Sequence, residues 1–515
     1  MSNQNTNNKR IVKNSIMLYI RMLISIIVSL YTSRIVLKAL GAEDYGIYNV
    51  VGGVVAMFSF LNASMSGATS RFLTVALGKN DQKLSNDTFS SALLAHIGIA
   101  AVVFLLIETI GVWFLNTKLI IPPERILAAH IILQCSVVSM IFNVTQVPYN
   151  ASIIAHEDMD IYAYVELLNV LLKLGIVFLL SIGSCDRLIL YAILMAGTSI
   201  IVAIVYRIYC LHHYKECTFH FIWEPSILKP MLSFSGWDVL GNMSFIAKTQ
   251  GTSFIFNMLY GVTMNAANGI ATTVQGIIQG FSTNIIQAFR PAIIKNYASE
   301  DFDNQQSHTE SALRISTLLL SLVSVPLIVE TKYVMRLWLG DVPEFADVFC
   351  QVLLVINYFS TASNCTIISI HANGKVKFLS FLGVVTTFLT LLIIYYSLSI
   401  NRDAPQYAYL ITLTISAIYF VSVLWYLKKI EPCLNLTKIF KSFINPFLIG
   451  CVCCIITYSI HIFLEESFLR LCIIIIANIV IEGTIAYKLI LTNNEQHFVK
   501  HFFTKLIHRK GNNRG

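Results

Sequence analysis

Apolar stretches of about 20 residues, the length that crosses a bilayer as a helix, follow one another almost without pause from Ser15 to Leu491. About fourteen are legible, near 15–37, 46–72, 88–115, 126–147, 160–183, 187–211, 231–258, 264–289, 312–338, 346–370, 377–400, 405–427, 442–464 and 468–491. The longest polar joins lie around Lys215 to Lys229, Ser299 to Glu310 and Lys428 to Lys441, too short for an extramembrane domain. Backbone N–H and C=O groups in hydrocarbon have no water to bond, so each such stretch is expected to be an α-helix. Composition agrees: 56% of residues are hydrophobic and 12% charged, where soluble domains run to roughly 45 to 50% and 25%. The fold class is therefore an all-α integral membrane protein of about fourteen spans.

The first span is too long for the apolar core of a secretory signal and lacks a small-residue exit, so it reads as retained. Eleven cysteines, most of them inside apolar segments, behave there as small hydrophobes and imply no disulfide framework. Cys451, Cys453 and Cys454 have no neighbouring His or carboxylate partners in sequence and read as packing; no metal or cofactor is expected. Lys and Arg concentrate in alternate joins and in the tail after Lys488, while the remaining joins hold only Arg34, Lys38, Lys118, Arg125, Arg187, Lys332, Arg336, Arg402 and Arg470. By the positive-inside bias both termini are cytoplasmic. The net charge of +8 follows from that bias, and no soluble basic face exists for nucleic acid.

The stretch 46–72 is loaded with small residues, including Gly52, Gly53, Ala56, Ser66 and Gly67, which let helices approach closely or line a wet space. A shift of 219 positions places Leu40 on Leu259, Ser64 on Thr283 and Arg71 on Arg290. An even number of spans per repeat makes the halves parallel, and such halves enclose a central site near the midplane. The expected organisation is a six-helix lobe over 1–212, a second over 213–430, and two extra spans with a basic tail over 431–515.

Ionisable groups inside spans cost roughly 2.5 to 3.5 kcal/mol each on insertion scales and face the bundle interior or water. Those needing an account are Arg21, Glu108, Glu166, Lys173, Asp238, Lys248, Glu330 and Glu482. Arg21, Ser25, Ser29 and Thr32 recur on one helical face, and the same shift puts Leu240, Ser244, Lys248 and Gly251 on the matching face of span seven. Span eight carries Thr272, Gly276, Gln279, Thr283, Gln287 and Arg290 at similar spacing. A water-filled cavity accounts for Arg21 and Lys248; snorkelling to the interface is the competing account. Asp238 reads as a structural ion-pair partner or a coupling site. Glu166 and Lys173, two turns apart, are expected to pair along their face. Glu108 and Glu330 lie near span ends and are expected to reach the interface. His96, His130, His371 and His461 are scattered singly, as hydrogen-bonded core residues are.

No phosphate-cradling loop, nucleophile elbow or H-E-x-x-H occurs. Glu43-Asp44 is similar to the acidic pair of polyprenyl-dependent membrane glycosyltransferases, but a turn opener needs no catalytic role, and the chain is not expected to be an enzyme. The turn Leu40-Gly41-Ala42-Glu43-Asp44-Tyr45-Gly46-Ile47-Tyr48, the Ser70-Arg71-Phe72 exit, the Phe234-Ser235-Gly236-Trp237 start of span seven and the fourteen-span layout resemble the Wzx-type polysaccharide flippases of the multidrug/oligosaccharidyl-lipid/polysaccharide exporter superfamily. The resemblance implies alternating-access transfer of an undecaprenyl-diphosphate-linked oligosaccharide to the outer leaflet for cell-surface polysaccharide such as O-antigen or capsule. Membrane lipids and other polysaccharide assembly proteins are its implied partners. The cavity candidates are Arg21, Ser25, Ser29, Arg71, Lys173, Ser244, Lys248, Gln279, Thr283 and Arg290, with Asp238 and Glu166 for ion coupling or charge pairing. The alternatives are a cation-coupled multidrug antiporter of the same superfamily and a polyprenyl-dependent glycosyltransferase or polymerase. An antiporter of cationic drugs needs interior carboxylates, whereas the interior charges here lean basic.

Overall fold

The computed structural model describes residues 2–58, 65, 69, 72–73, 76–77, 81–156, 158–182, 186–222, 224–492 and 495–496, with side chains described from Ile26 onward apart from short stretches that include 232–238 and 240–242. Every regular element among them is helical: α1 (Ser2–Ala56), α2 (Gln82–Leu106, continuing through Val112–Thr117), α3 (Ile126–Ala155), α4 (Met159–Ile182), α5 (Arg187–His213), α6 (Pro225–Tyr260), α7 (Val262–Ala298), α8 (Phe302–Val329), α9 (Thr331–Leu339), α10 (Ala346–Asn373), α11 (Lys377–Ile400), α12 (Tyr407–Ile430), α13 (Leu436–Phe463) and α14 (Phe468–Ile485). Nine of the described helices are individually long and apolar enough to span a membrane, and the protein is a multi-pass membrane protein. Span two, expected over 46–72, lies partly outside the described residues.

Helix starts follow side-chain capping of the otherwise unpaired first N–H groups. Asp81 accepts from Leu84 N at 3.0 Å, Asp186 from Leu188 N at 3.0 Å, Asn435 from Lys438 N at 3.2 Å and Ser467 from Arg470 N at 3.1 Å. Asp301 caps α8, so helix begins inside the polar join expected at Ser299 to Glu310.

Three joints differ from the sequence reading. The turn expected at 40–48 shrinks to one residue, Gly41 (φ 78°, ψ 171°), with helix on both sides. Gly261 (φ 82°, ψ −167°) does the same between α6 and α7. Both glycines occupy a positive-φ conformation that a Cβ disfavours, and they sit 220 positions apart, one more than the sequence repeat. The span expected over 312–338 breaks at Glu330, which separates α8 from α9. In α2 a π turn at Ile107–Gly111 interrupts the α pattern and carries Glu108.

The chain forms two compact units, 1–270 with 338–346 and 377–411, and 271–337 with 347–376 and 412–515. In the first, Ile47, Val50, Val51 and Val54 of α1 pack with Ile107, Leu133 and Val137 of α2 and α3, while Phe89, Tyr149, Tyr206 and Cys210 form a second core nearer the α5 terminus. In the second, α8 packs on α13 and α14, with Val325, Ile449 and Cys453 buried together.

Close approach in the first unit depends on missing side chains. A Cβ on Gly46 would lie 1.9 Å from the Val262 carbonyl oxygen, and one on Gly53 would lie 2.5 Å from Gln250 Oε1. Gly52, one residue from Gly53, has nothing within 4 Å of its virtual Cβ. Gly46→Ala should therefore lower the thermal midpoint of the purified protein by several degrees and reduce folded yield, because backbone cannot yield as a flexible side chain can. Gly52→Ala should leave both close to wild type. Equal effects in a size-exclusion thermostability assay would contradict this packing.

Candidate functional site

Helix α6 is the polar axis of the first unit. Its Asn257 is fully buried and exchanges two hydrogen bonds with Ile120, accepting from the backbone N at 2.7 Å and donating to the carbonyl at 3.2 Å. Ser253 donates to Asn265 Oδ1 at 2.8 Å, and the Tyr409 hydroxyl bonds Asn268. Each amide is met by a backbone group or a hydroxyl around the Gly261 joint, as buried polar groups must be.

Earlier along α6, Ser244 is buried and its carbonyl accepts from Thr387 Oγ1 of α11 at 3.0 Å. Gly251, two turns on, lets Leu391 of α11 come within 2.8 Å of a virtual Cβ. Lys248 lies between them by helical spacing, half-buried, and among the described residues its ammonium makes neither an ion pair nor a hydrogen bond. The stripe of Ser244, Lys248 and Gly251 read from sequence thus includes two close-packing positions and one cation with no acid paired to it among the described residues. Arg21 and Ser25 lie in α1 with side chains outside the described residues, Ser29 of α1 is exposed, and the Asp238 side chain and Arg71 fall outside the described residues.

Lys173 and Glu166 are both half-buried on α4. No ion pair joins them: the two-turn spacing leaves the side chains within electrostatic influence but out of contact. In the second unit Gln279 is half-buried, and Thr283 and Arg290 are exposed. Thr283 Oγ1 returns to the Gln279 carbonyl at 3.0 Å, and Gln275 donates to Asn357 Oδ1 at 3.2 Å.

Other charges behave differently from the sequence reading. Asp44, buried after the Gly41 joint, accepts from Arg125 at 2.9 Å, and the same guanidinium bonds Asp186. Burial raises the Asp44 carboxyl above its ordinary range, and Arg125 opposes the rise. The acidic turn is therefore a structural tie to the start of α5. Glu108 accepts from Gln134 Nε2 at 2.8 Å. Glu330 is enclosed by protein instead. It is 1% exposed, bonded by Arg470 Nη2 at 2.7 Å and by His461 Nδ1 at 2.8 Å. Sequence distance hid this cluster. Its signal was topological, since span nine ends, span thirteen ends and span fourteen begins on one membrane face.

The comparisons with known proteins are consistent in kind. A family model described as polysaccharide biosynthesis protein matches residues 11–297. The chain is 20% identical over 333 residues to EpsK of Bacillus subtilis (strain 168), described as an uncharacterized membrane protein; the match covers 63% of this chain and 64% of that protein, less than two thirds of its length. Among solved structures, the lipid II flippase MurJ in an inward closed conformation is similar at TM-score 0.69 and 15% identity, covering 96% of this chain and 100% of MurJ. An inward-facing multidrug resistance MATE family transporter of the MOP superfamily is similar at TM-score 0.65 and 14% identity, over 82% of this chain and 99% of that one. A MOP superfamily transporter from Pyrococcus furiosus matches at TM-score 0.59 and 15% identity, over 84% of this chain and 96% of that one. At these identities the likeness establishes the fold.

The Glu330 cluster yields a direct stability test. Removing one member of a buried ion pair strands the other and costs about 3 to 5 kcal/mol. Arg470→Met should lower the unfolding midpoint in detergent sharply, and adding Glu330→Gln should recover most of the loss, because a neutral amide needs no counter-charge. A double variant no more stable than Arg470→Met would refute the pairing as a stabilising element.

Proposed function

The chain belongs to the polysaccharide biosynthesis protein family, and on that premise we propose that it translocates a lipid-linked oligosaccharide, carried on undecaprenyl diphosphate, from the cytoplasmic to the outer leaflet of the plasma membrane. The family and the fold are a transporter's, not an enzyme's. In this reading the lobes over 1–212 and 213–430 alternate access, 431–515 adds two spans and a basic tail, both termini are cytoplasmic, and other polysaccharide assembly proteins supply or receive the substrate.

The observation that supports the reading best is Lys248. A lysine inside a span costs free energy unless something meets it, and among the described residues no acid does. A diphosphate would meet it through charge-assisted hydrogen bonds, stronger than neutral ones. Ser, Thr and Gln side chains such as Ser29, Gln279 and Thr283 suit sugar hydroxyls. Arg21, Ser25, Arg71, Lys173, Ser244 and Arg290 complete the proposed substrate contacts, with Glu166 and Asp238 as charge partners or coupling groups. A cationic drug would find this set repulsive, which sets the antiporter reading second.

Deleting the gene should leave lipid-linked oligosaccharide on the inner leaflet with drug sensitivity unchanged. Lys248→Ala should cut transport about tenfold or more, the scale of one lost charge-assisted bond, while the protein still inserts at normal level. Lys248→Arg should retain part of the activity, since charge is kept and geometry altered. If Lys248 is instead a structural partner of Asp238, Lys248→Ala lowers protein level, and adding Asp238→Asn restores level and transport together. That outcome removes Lys248 from the substrate contacts.

A further inference from the structure

An open groove in the first unit runs between α2 and α3 and ends at α5. Its volume is about 750 Å³, within the 300 to 1,000 Å³ of roughly ligand-sized pockets. Eight of its eleven lining residues are apolar, and the three that are not, Thr145, Tyr149 and Arg207, gather at one end. Phe89 meets Tyr149 edge-on with ring centroids 5.1 Å apart, which places that end beside the first turns of α2. Towards the other end the wall is open: Ile97 is 43% and Leu105 61% exposed. From Leu93 to Leu105 the groove follows α2 for about 18 Å at the helical rise. That is a little over half of the roughly 30 Å hydrocarbon core, so it spans one leaflet.

Arg207 closes the groove. It lies six residues before the end of α5 at His213, about 9 Å along the axis, on the face that the positive-inside bias reads as cytoplasmic. Its Nη2 donates to Thr145 Oγ1 at 2.6 Å, and its guanidinium lies over Phe142 at 5.3 Å and Tyr149 at 5.9 Å. Its Nε is buried without an acceptor, and among the described residues no carboxylate pairs with it. Two acids held around the end of α5 are engaged elsewhere: Asp158 accepts from the Tyr214 hydroxyl at 2.6 Å, and Glu216 bonds His156 at 2.5 Å. A cation held on aromatic faces beside a hydroxyl, at the head of a leaflet-deep apolar trough, matches the two halves of a lipid.

We propose that this groove is a binding site for an anionic phospholipid of that leaflet, its phosphate on Arg207 and an acyl chain along Ile97, Ala101 and Leu105. Basic pockets between spans on the cytoplasmic side recognise anionic headgroups by this chemistry. An undecaprenyl chain is several times longer than the trough, so the occupant is a membrane phospholipid rather than the transported carrier. The site is separate from the Lys248 stripe and stands independently of the transport reading.

The test is lipid retention by the full chain, reconstituted in phosphatidylcholine nanodiscs with a minor fraction of phosphatidylglycerol, released gently and weighed by native mass spectrometry. Wild type should retain one phosphatidylglycerol that Arg207→Gln loses about tenfold, the scale of one charge-assisted hydrogen bond. Ala101→Trp, which puts an indole in the trough and keeps the arginine, should lose it comparably. Either variant retaining the wild-type amount would overturn the site, and if Arg207→Gln does not fold, Ala101→Trp decides alone. Millimolar inorganic phosphate should not displace the lipid; displacement would make this a free-anion site and overturn the lipid assignment. Because the readout is bound lipid, failure here leaves the transport proposal standing.

Discussion

An ionised side chain taken out of bulk water must be met by an opposite charge, by dipoles or by other water, and the cost of failing that condition organises this molecule. Glu330 meets it with Arg470 and His461, and Asp44 and Asp186 meet it through the shared Arg125. Gln305 and Asn373 amides meet it for Glu431, at 3.0 and 3.3 Å, on a carboxyl that burial pushes upward. Those charges are closed circuits and read as structure. Lys248 and Arg207 are not closed by any acid among the described residues. The same physics that makes paired charges structural is the reason both proposals rest on these cations.

The second constraint is backbone proximity. Helix α1 approaches the start of α7 closely enough that Gly46 faces the Val262 carbonyl and approaches α6 closely enough that Gly53 faces Gln250, and α6 and α11 are drawn together at Ser244 and Gly251. Water-free packing in a membrane gains little from burying apolar surface, so van der Waals fit and hydrogen bonds between small residues carry the association. The fixed wall thus formed holds Lys248 between two tightly packed positions, which preorganises whatever meets its ammonium.

Much of the fold was legible because a span is a local property: twenty apolar residues bounded by caps such as Asp81, Asp186 and Asn435 define a helix with no reference to the rest of the chain. The Gly41 and Gly261 joints lie one position off the 219-residue sequence shift. What was hidden is non-local. Glu330 finds Arg470 across 140 positions, and no periodicity reports that. Arg207 counted as an ordinary cytoplasmic-side charge, because sequence does not show that six residues of helix lie beyond it or that α2 and α3 part beside it. For the candidate site, residue types were readable at Lys248 and Ser244, but whether a polar stripe packs or lines water depends on what lies opposite, as Leu391 and Thr387 show.

In the proposed function this chain moves a lipid-bound diphosphate sugar between leaflets. The most direct measurement is translocation in proteoliposomes of a fluorescent polyprenyl-diphosphate oligosaccharide loaded in one leaflet and followed with a membrane-impermeant quencher. With transport, the quencher-accessible fraction changes with time in proportion to protein and stays constant in protein-free vesicles. The same slow, protein-independent time course in both preparations would contradict it.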